Sequence, residues 1–114
     1  MDSIKRGEVF LVNFYPTFGN ETWKTRPGLV VSNDINNTYS PVISISLITS
    51  NVTRVYSFEV EVPAGAGGLE TRSKVMVNQT RAVAKVRLVK RLGHLPEEIM
   101  ARVDQALILH YKLE

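Results

Sequence analysis

The chain has 114 residues, 44% hydrophobic and 22% charged, which is the composition of a folded domain and not of a disordered segment. It contains no cysteine, so disulfide frameworks, thiol catalysis and zinc sites with cysteine ligands are excluded. No apolar run approaches the roughly 18 residues of a membrane span, and the N-terminus lacks an apolar run of signal-peptide length. We therefore expect a single domain over residues 1–114, cytoplasmic and without membrane contact.

Charge is unevenly distributed along the chain, although the net value is only +3. Residues 1–70 carry five basic and seven acidic side chains, whereas residues 71–114 carry nine basic and four acidic ones. Seven basic residues and no acid occur between Thr71 and Pro96. This basic block suits a polyanionic partner, either nucleic acid or an acidic protein segment, and a solvated basic face explains the charge equally well.

Short strands are predicted over the first four-fifths of the chain. They cover Glu8–Phe14, Gly28–Ser32, Val42–Thr49, Tyr56–Val62, Val75–Val83 and Leu92–Leu95. A turn is expected at Asn33-Asp34, and a flexible loop at Gly65–Gly68. In the fourth strand Glu59 and Glu61 alternate with apolar residues, which indicates an antiparallel sheet with one wet face.

A helix is predicted at the end of the chain. Pro96, Glu97 and Glu98 suit a helix start, because proline loses no needed N–H there and the helix dipole favours carboxylates. The residues that then recur at helical spacing are Ile99, Val103, Ala106, Leu107 and His110. Five or six short strands and one helix predict a mainly β fold, a small barrel with the helix packed on it.

The common catalytic motifs are missing: there is no G-x-S-x-G, no glycine-rich phosphate loop and no histidine-paired nucleophile. His94 and His110 stand far apart and the aspartates are scattered, so no metal or cofactor is expected. We interpret His94 as an ordinary strand residue and His110 as a residue on the face of the helix.

Polar residues cluster at three places where loops begin or strands end, which is where sites usually lie. These are the loop Gly19–Arg26 with Glu21, Trp23 and Lys24, the triplet Thr49-Ser50-Asn51, and the run Asn78-Gln79-Thr80-Arg81. Taken singly, each residue also has a purely structural explanation, as a loop anchor or an outward strand residue. Thr49 shares the parity of the apolar residues Ile43 and Leu47, so it reaches a solvent-facing site only if its strand ends or bends there.

Several segments resemble the MazF/PemK toxin family. The residues Arg6-Gly7-Glu8-Val9 and Pro16-Thr17-Phe18-Gly19 are similar to its opening RGDVYxVDxxPTxGSEQ. The segment KTRPGLVVSNDINNTYSP, from Lys24 to Pro41, is similar to its K-x-RPxLVVSNDxxNxxSP. Asn78-Gln79-Thr80-Arg81 stands where the family has EQIR, and Gly93-His94-Leu95 precedes a helix of the E-E-x-M-x-x-V-D-x-A-L type. The match covers essentially the whole chain, in order.

The resemblance implies an SH3-like small β-barrel of the MazF/PemK/CcdB type that forms a homodimer. It also implies a sequence-specific, metal-independent and ribosome-independent endoribonuclease that cleaves single-stranded mRNA in a bacterial toxin–antitoxin system. The catalytic pair would be Arg26 and Thr49, with Glu21 helping to hold the site and substrate. The candidate RNA-binding residues are Phe18, Asn20, Thr22, Trp23, Lys24, Ser50, Gln79 and Arg81. The chain departs from the family pattern in both groove segments, which bear on the RNA sequence that is recognised, and not at the catalytic pair.

With neither a protein nucleophile nor a metal-activated water expected, our hypothesis is that the 2′-hydroxyl of the RNA itself attacks the adjacent phosphorus. The expected products of this reaction are a 2′,3′-cyclic phosphate and a free 5′-hydroxyl. Arg26 would neutralise charge on the phosphoryl oxygens and Thr49 would donate a hydrogen bond to them. Arginine is a poor base near neutrality, which leaves Glu21 or water as the proton acceptor. The expected inhibitor is a cognate antitoxin with an acidic disordered tail that folds on binding.

Two other functions fit a barrel of this kind. One is a related toxin that poisons DNA gyrase and cleaves nothing, but its C-terminal aromatic ending is missing from Tyr111-Lys112-Leu113-Glu114. The other is a non-catalytic nucleic-acid-binding barrel, since small barrels host many functions. Arg26 and Thr49 count against the second.

Overall fold

A six-stranded antiparallel sheet and two α-helices make up the computed structural model, which describes residues 3–14 and 25–114. The elements in chain order are β1 (Glu8–Asn13), β2 (Thr25–Val30), α1 (Asp34–Tyr39), β3 (Val42–Thr49), β4 (Glu59–Val62), β5 (Ser73–Ala84), β6 (Leu88–His94) and α2 (Glu97–Tyr111). The strands are ordered β4-β5-β3-β2-β1-β6 across the sheet. The predicted mainly β fold with a C-terminal helix is confirmed.

The predicted β3 has the observed bounds, and α2 begins directly after Pro96, with Glu97 and Glu98 in its first turn. The prediction for β4 was too long at its start. Tyr56 lies in a turn closed by the bond from the Glu59 backbone N–H to the Tyr56 carbonyl, 2.9 Å. β2 and β5 begin earlier in the chain than predicted, and β6 begins at Leu88 instead of Leu92.

Helix α1 replaces the simple turn predicted at Asn33-Asp34. The Asn33 side chain accepts a hydrogen bond from the Asn36 backbone N–H at 2.8 Å and so caps the helix. Asparagine favours both turns and helix N-caps, because its short side chain satisfies a nearby backbone N–H in either case. The local sequence therefore predicted a change of chain direction at the correct position, but as a turn and not as a helix.

The strongly bent sheet buries apolar residues on both of its faces. The cluster that contacts α2 comprises Val9, Leu29, Ile48, Val60, Val62, Leu69, Val75, Val77, Leu95, Ile99, Val103 and Ala106. The second cluster comprises Ile4, Phe10, Val12, Phe14, Val30, Ile43, Ile45, Leu47, Val83 and Leu88. Alternate residues of a strand point to opposite faces, so β3 contributes Ile48 to one cluster and Leu47 to the other.

The segment predicted as a flexible loop is instead a 3₁₀ turn, Ala66–Gly68, packed against β6. A Cβ atom on Gly68 would lie 2.0 Å from the Leu92 carbonyl oxygen, and Gly68 has a φ of +74°. Only glycine allows this approach and this backbone conformation together. The contact brings the turn between β4 and β5 onto the opposite edge of the sheet, which gives the fold its barrel-like curvature.

In the described part of the chain, neither α-helix has the combined length and apolar character of a membrane-spanning helix.

Candidate functional site

The ends of β2 and β3 bring Arg26 and Thr49 together. These strands pair antiparallel, with Gly28 opposite Leu47 as the last pair of the ladder. Continuing this register by two residues places Arg26 opposite Thr49. Pro27, which lies between, has no N–H to donate to a neighbouring strand. The two candidate catalytic residues therefore lie at adjacent strand ends, just beyond the last pair of the β2–β3 ladder.

Arg26 and Thr49 line one cavity of about 80 Å³, together with Leu47, Ile48 and Met76. Thr49 is half-buried, whereas the preceding four residues of β3 are buried. Thr49 has the same parity along β3 as buried apolar residues, so it could reach a solvent-facing site only if the strand ended or bent there. The strand does end at Thr49. The Thr49 hydroxyl oxygen accepts a hydrogen bond from the Asn51 backbone N–H at 3.2 Å. Its own proton can therefore be donated to a ligand in the cavity.

A second, wider depression of about 340 Å³ also contains Arg26. Ser50, Glu70 and Thr71 are among its lining residues. Ser50 lines this depression and not the Thr49 cavity, whereas Arg26 borders both. Sequence reasoning had not selected Glu70 or Met76. The signal for Glu70 was its place two residues after Gly68, the last residue of the glycine segment packed on β6.

Gln79 lies where the pairing between β3 and β5 changes register. Ser46 is opposite Thr80, but the next residue, Leu47, is opposite Met76. Three residues of β5, Val77 to Gln79, are therefore extra relative to β3. Such bulges redirect side chains. Gln79 is half-buried here and lies outside both cavities that Arg26 lines.

Arg81 lies beyond this insertion, opposite Ile45. Its guanidinium carbon is 5.6 Å from the centroid of the Phe14 ring, a cation–π contact at the end of β1. Arg81 also lies outside the two Arg26 cavities. The remaining candidates lie outside the described residues: Phe18, Asn20, Glu21, Thr22, Trp23 and Lys24.

The described residues contain no group of three or more His, Asp and Glu side chains arranged to hold a metal ion. His94 is exposed at the end of β6. His110 lies in the last turn of α2, where its ring meets the Tyr111 ring edge-on with centroids 4.7 Å apart. What the described site offers chemically is one guanidinium and one hydroxyl. Groups of these two kinds are able to hydrogen-bond a phosphate.

Comparison with known proteins places these observations in a family. Residues 5–111 match the family model described as PemK-like, MazF-like toxin of type II toxin–antitoxin system. The chain is 36% identical over 105 residues to the endoribonuclease EndoA of Bacillus subtilis, covering 91% of this chain and 90% of that protein. It is also 36% identical over 115 residues to the endoribonuclease MazF9 of Mycobacterium tuberculosis, covering 96% and 98%.

The fold agrees with these sequence matches. A solved mycobacterial endoribonuclease in complex with its cognate antitoxin superposes with a TM-score of 0.82 at 21% identity, covering 97% of each chain. The predicted resemblance and the predicted endoribonuclease class are confirmed by the family model and the two relatives. The chain belongs to the PemK-like, MazF-like family of toxins of type II toxin–antitoxin systems.

Proposed function

We propose that this protein is a toxin that cleaves single-stranded mRNA at a specific short sequence, without a metal ion and without the ribosome. The observation that carries the proposal is the juxtaposition of Arg26 and Thr49 in one cavity, in a chain of this family. The two curated relatives are endoribonucleases by name, and this chain aligns with nearly their whole length.

The proposed reaction uses the 2′-hydroxyl of the RNA as nucleophile. Its oxygen bonds to the adjacent phosphorus and loses its proton, while the bond from phosphorus to the 5′-oxygen breaks and that oxygen gains a proton. The products are a 2′,3′-cyclic phosphate and a free 5′-hydroxyl. DNA lacks the nucleophile and is not cut.

Arg26 stabilises the negative charge on the non-bridging phosphoryl oxygens as it grows in the transition state. Thr49 donates a hydrogen bond to the same oxygens, using the proton that its contact with Asn51 leaves available. The proton of the 2′-hydroxyl passes to Glu21 or to water. Arg26 is not the acceptor, because an arginine side chain stays protonated near neutral pH.

Substrate selection comes from unpaired bases held around this pair. Aromatic side chains stack on splayed bases of single-stranded RNA, and Phe18 and Trp23 are the proposed stacking residues. The polar contacts are assigned to Asn20, Thr22, Lys24, Ser50, Gln79 and Arg81. The register change that redirects Gln79 supports a role for this part of β5 in specificity.

We assign two protein partners: a second copy of the chain and a cognate antitoxin. The solved mycobacterial relative binds its own antitoxin, which supports the second assignment. An acidic tail that folds on binding would be attracted to the basic block between Thr71 and Pro96 and would compete with RNA for the site.

The test is to incubate the purified protein with a long RNA of mixed sequence in EDTA and to map every new end. Cuts at one short motif that carry 5′-hydroxyls, and that are absent with Arg26→Ala, are the expected result. An RNA with deoxyribose at the scissile position must resist cleavage. If a sufficiently diverse RNA stays intact, the proposal fails, and inhibition of DNA gyrase becomes the activity to measure.

A further inference from the structure

Lys74 on β5 and Glu59 on β4 form a buried ion pair. The ammonium nitrogen lies 2.9 Å from Glu59 Oε1, and the two side chains are only 10% and 5% exposed. By contrast, the neighbouring pair between Arg72, just before β5, and Glu61 on β4 is 57% and 40% exposed. Burying two charges costs desolvation energy, and a well-packed apolar pair is often at least as stable. Stability alone therefore does not account for this pair.

The pair lies beside the site. Lys74 is the cross-strand partner of Thr49, and Glu59 is the cross-strand partner of Met76. Met76 lines the cavity that contains Arg26 and Thr49. Neighbouring strands are about 5 Å apart, so Lys74 is one strand from Thr49 and Glu59 is one strand further.

Both charged groups hold the segment of residues 50–58, which connects β3 to β4. Lys74 Nζ donates to the Arg54 carbonyl oxygen at 2.7 Å. The Tyr56 backbone N–H donates to Glu59 Oε1 at 2.9 Å. The segment leaves the sheet immediately after Thr49 and is tied back to the strand that faces Thr49. Its position relative to the site is therefore set by the ion pair.

What the segment exposes is an arginine and an aromatic ring. Arg54 Nη1 donates to the Tyr56 hydroxyl at 3.2 Å, and its guanidinium carbon is 5.7 Å from the ring centroid. The Tyr56 ring is stacked on Phe58, with centroids 5.4 Å apart and planes 5° from parallel. Tyr56 is 46% exposed. Aromatic rings and guanidinium planes are the groups that proteins use to hold single-stranded bases and phosphates.

We propose that Lys74 and Glu59 are positioning residues for RNA cleavage: they fix the 50–58 segment so that Arg54 and Tyr56 contact the RNA strand beside Arg26 and Thr49. This rests on the proposed function and adds residues to its substrate-binding surface. The ion pair acts through the segment and does not touch the reacting atoms.

The test separates folding from cleavage. Lys74→Met alone leaves a buried carboxylate unpaired and should lower the midpoint of thermal unfolding. The double variant Lys74→Met/Glu59→Leu removes both charges and should recover most of that loss. If the pair positions the segment, the double variant should have a kcat/KM for RNA cleavage at least about tenfold lower than wild type even though it folds. Most of that decrease should come from a higher KM.

Two further variants make the result specific. Tyr56→Ala should reduce kcat/KM in the wild-type chain but add little in the double variant, because the pair acts through this segment. Arg6→Met removes the 2.8 Å ion pair to Asp104 elsewhere in the fold, and should lower stability while leaving kcat/KM near wild type. If the stably folded double variant cleaves RNA with the kcat/KM of the wild-type chain, the inference is overturned and the proposed function is unaffected. No cutting by the wild-type chain itself refutes both.

Discussion

The hydroxyl groups of Ser46 and Thr80 lie 2.6 Å apart across β3 and β5, at the last pair before the register changes. Ser46 is fully buried, and Thr80 also donates a hydrogen bond to the Val77 carbonyl at 2.7 Å. Thr80 thereby links β3 to the first residue of the three-residue insertion that contains Gln79. One hydroxyl group therefore contacts both the neighbouring strand and the insertion.

Thr80→Val should lower the free energy of unfolding by about 1–3 kcal/mol, because it leaves the buried Ser46 hydroxyl and the Val77 carbonyl without their partner. It should also alter the preferred cleavage sequence, since Gln79 loses its fixed position. Urea unfolding measures the first effect, and mapping RNA ends measures the second. Thr80→Ser, which keeps the hydroxyl, should retain the wild-type motif. A Thr80→Val variant with an unchanged motif would show that the insertion has no part in specificity.

Thr49→Val removes the proposed donor to the phosphoryl oxygens while keeping the β-branched shape. We expect single-turnover RNA cleavage to slow by roughly 10²-fold, within the range for loss of one transition-state hydrogen bond. Thr49→Ser keeps the hydroxyl and should remain within about tenfold of wild type. Equal rates for the valine and serine variants would remove Thr49 from the catalytic pair.

Gly68→Ala should lower the free energy of unfolding by about 3 kcal/mol, because the new methyl group meets the Leu92 carbonyl and the backbone stays at positive φ. Gly65→Ala is the matched control. Gly65 also has a positive φ, of +93°, but nothing lies within 4 Å of its Cβ position, so we expect a loss nearer 1 kcal/mol. Chemical denaturation compares the two. If both variants lost the same free energy of unfolding, the close contact between the 3₁₀ turn and β6 would contribute nothing to stability.

Asp34 should make stability depend on pH in the acid range. The Arg6 backbone N–H donates to its carboxylate at 2.7 Å, which holds the pKa of Asp34 below its ordinary value, and the hydrogen bond from Asn37 acts in the same direction. Because the folded-state pKa is depressed, the contribution is complete above the unfolded pKa and is lost as the pH falls through the folded one.

Thermal unfolding of Asp34→Asn against wild type checks this. The wild-type chain should be the more stable at pH 7, and the gap should narrow once the pH drops below about 3.9, the ordinary aspartate pKa. A gap of constant size from neutral to acid pH would mean that the carboxylate charge contributes nothing to folding.

Local sequence patterns were sufficient for the parts of the fold that depend on near neighbours. Alternation of Ile43, Ile45 and Leu47 with serines gave β3 its bounds, and Pro96 followed by two glutamates located the start of α2. The element at Asn33 was missed, since a short polar side chain begins a turn or a helix equally well. The order of motifs along the chain was enough to indicate the family.

Only the tertiary structure decided which distant residues meet. The pairing of β2 with β3 brings the strand ends at Arg26 and Thr49 to one cavity, and Gln79, in the β5 insertion, lies outside it. The burial of Lys74 with Glu59 depends on the pairing of two strands that brings together residues 15 apart in the sequence. Residue periodicity reports the face of a strand but not the strand's partner or register. Those are set by long-range packing and by the pairing of buried polar groups.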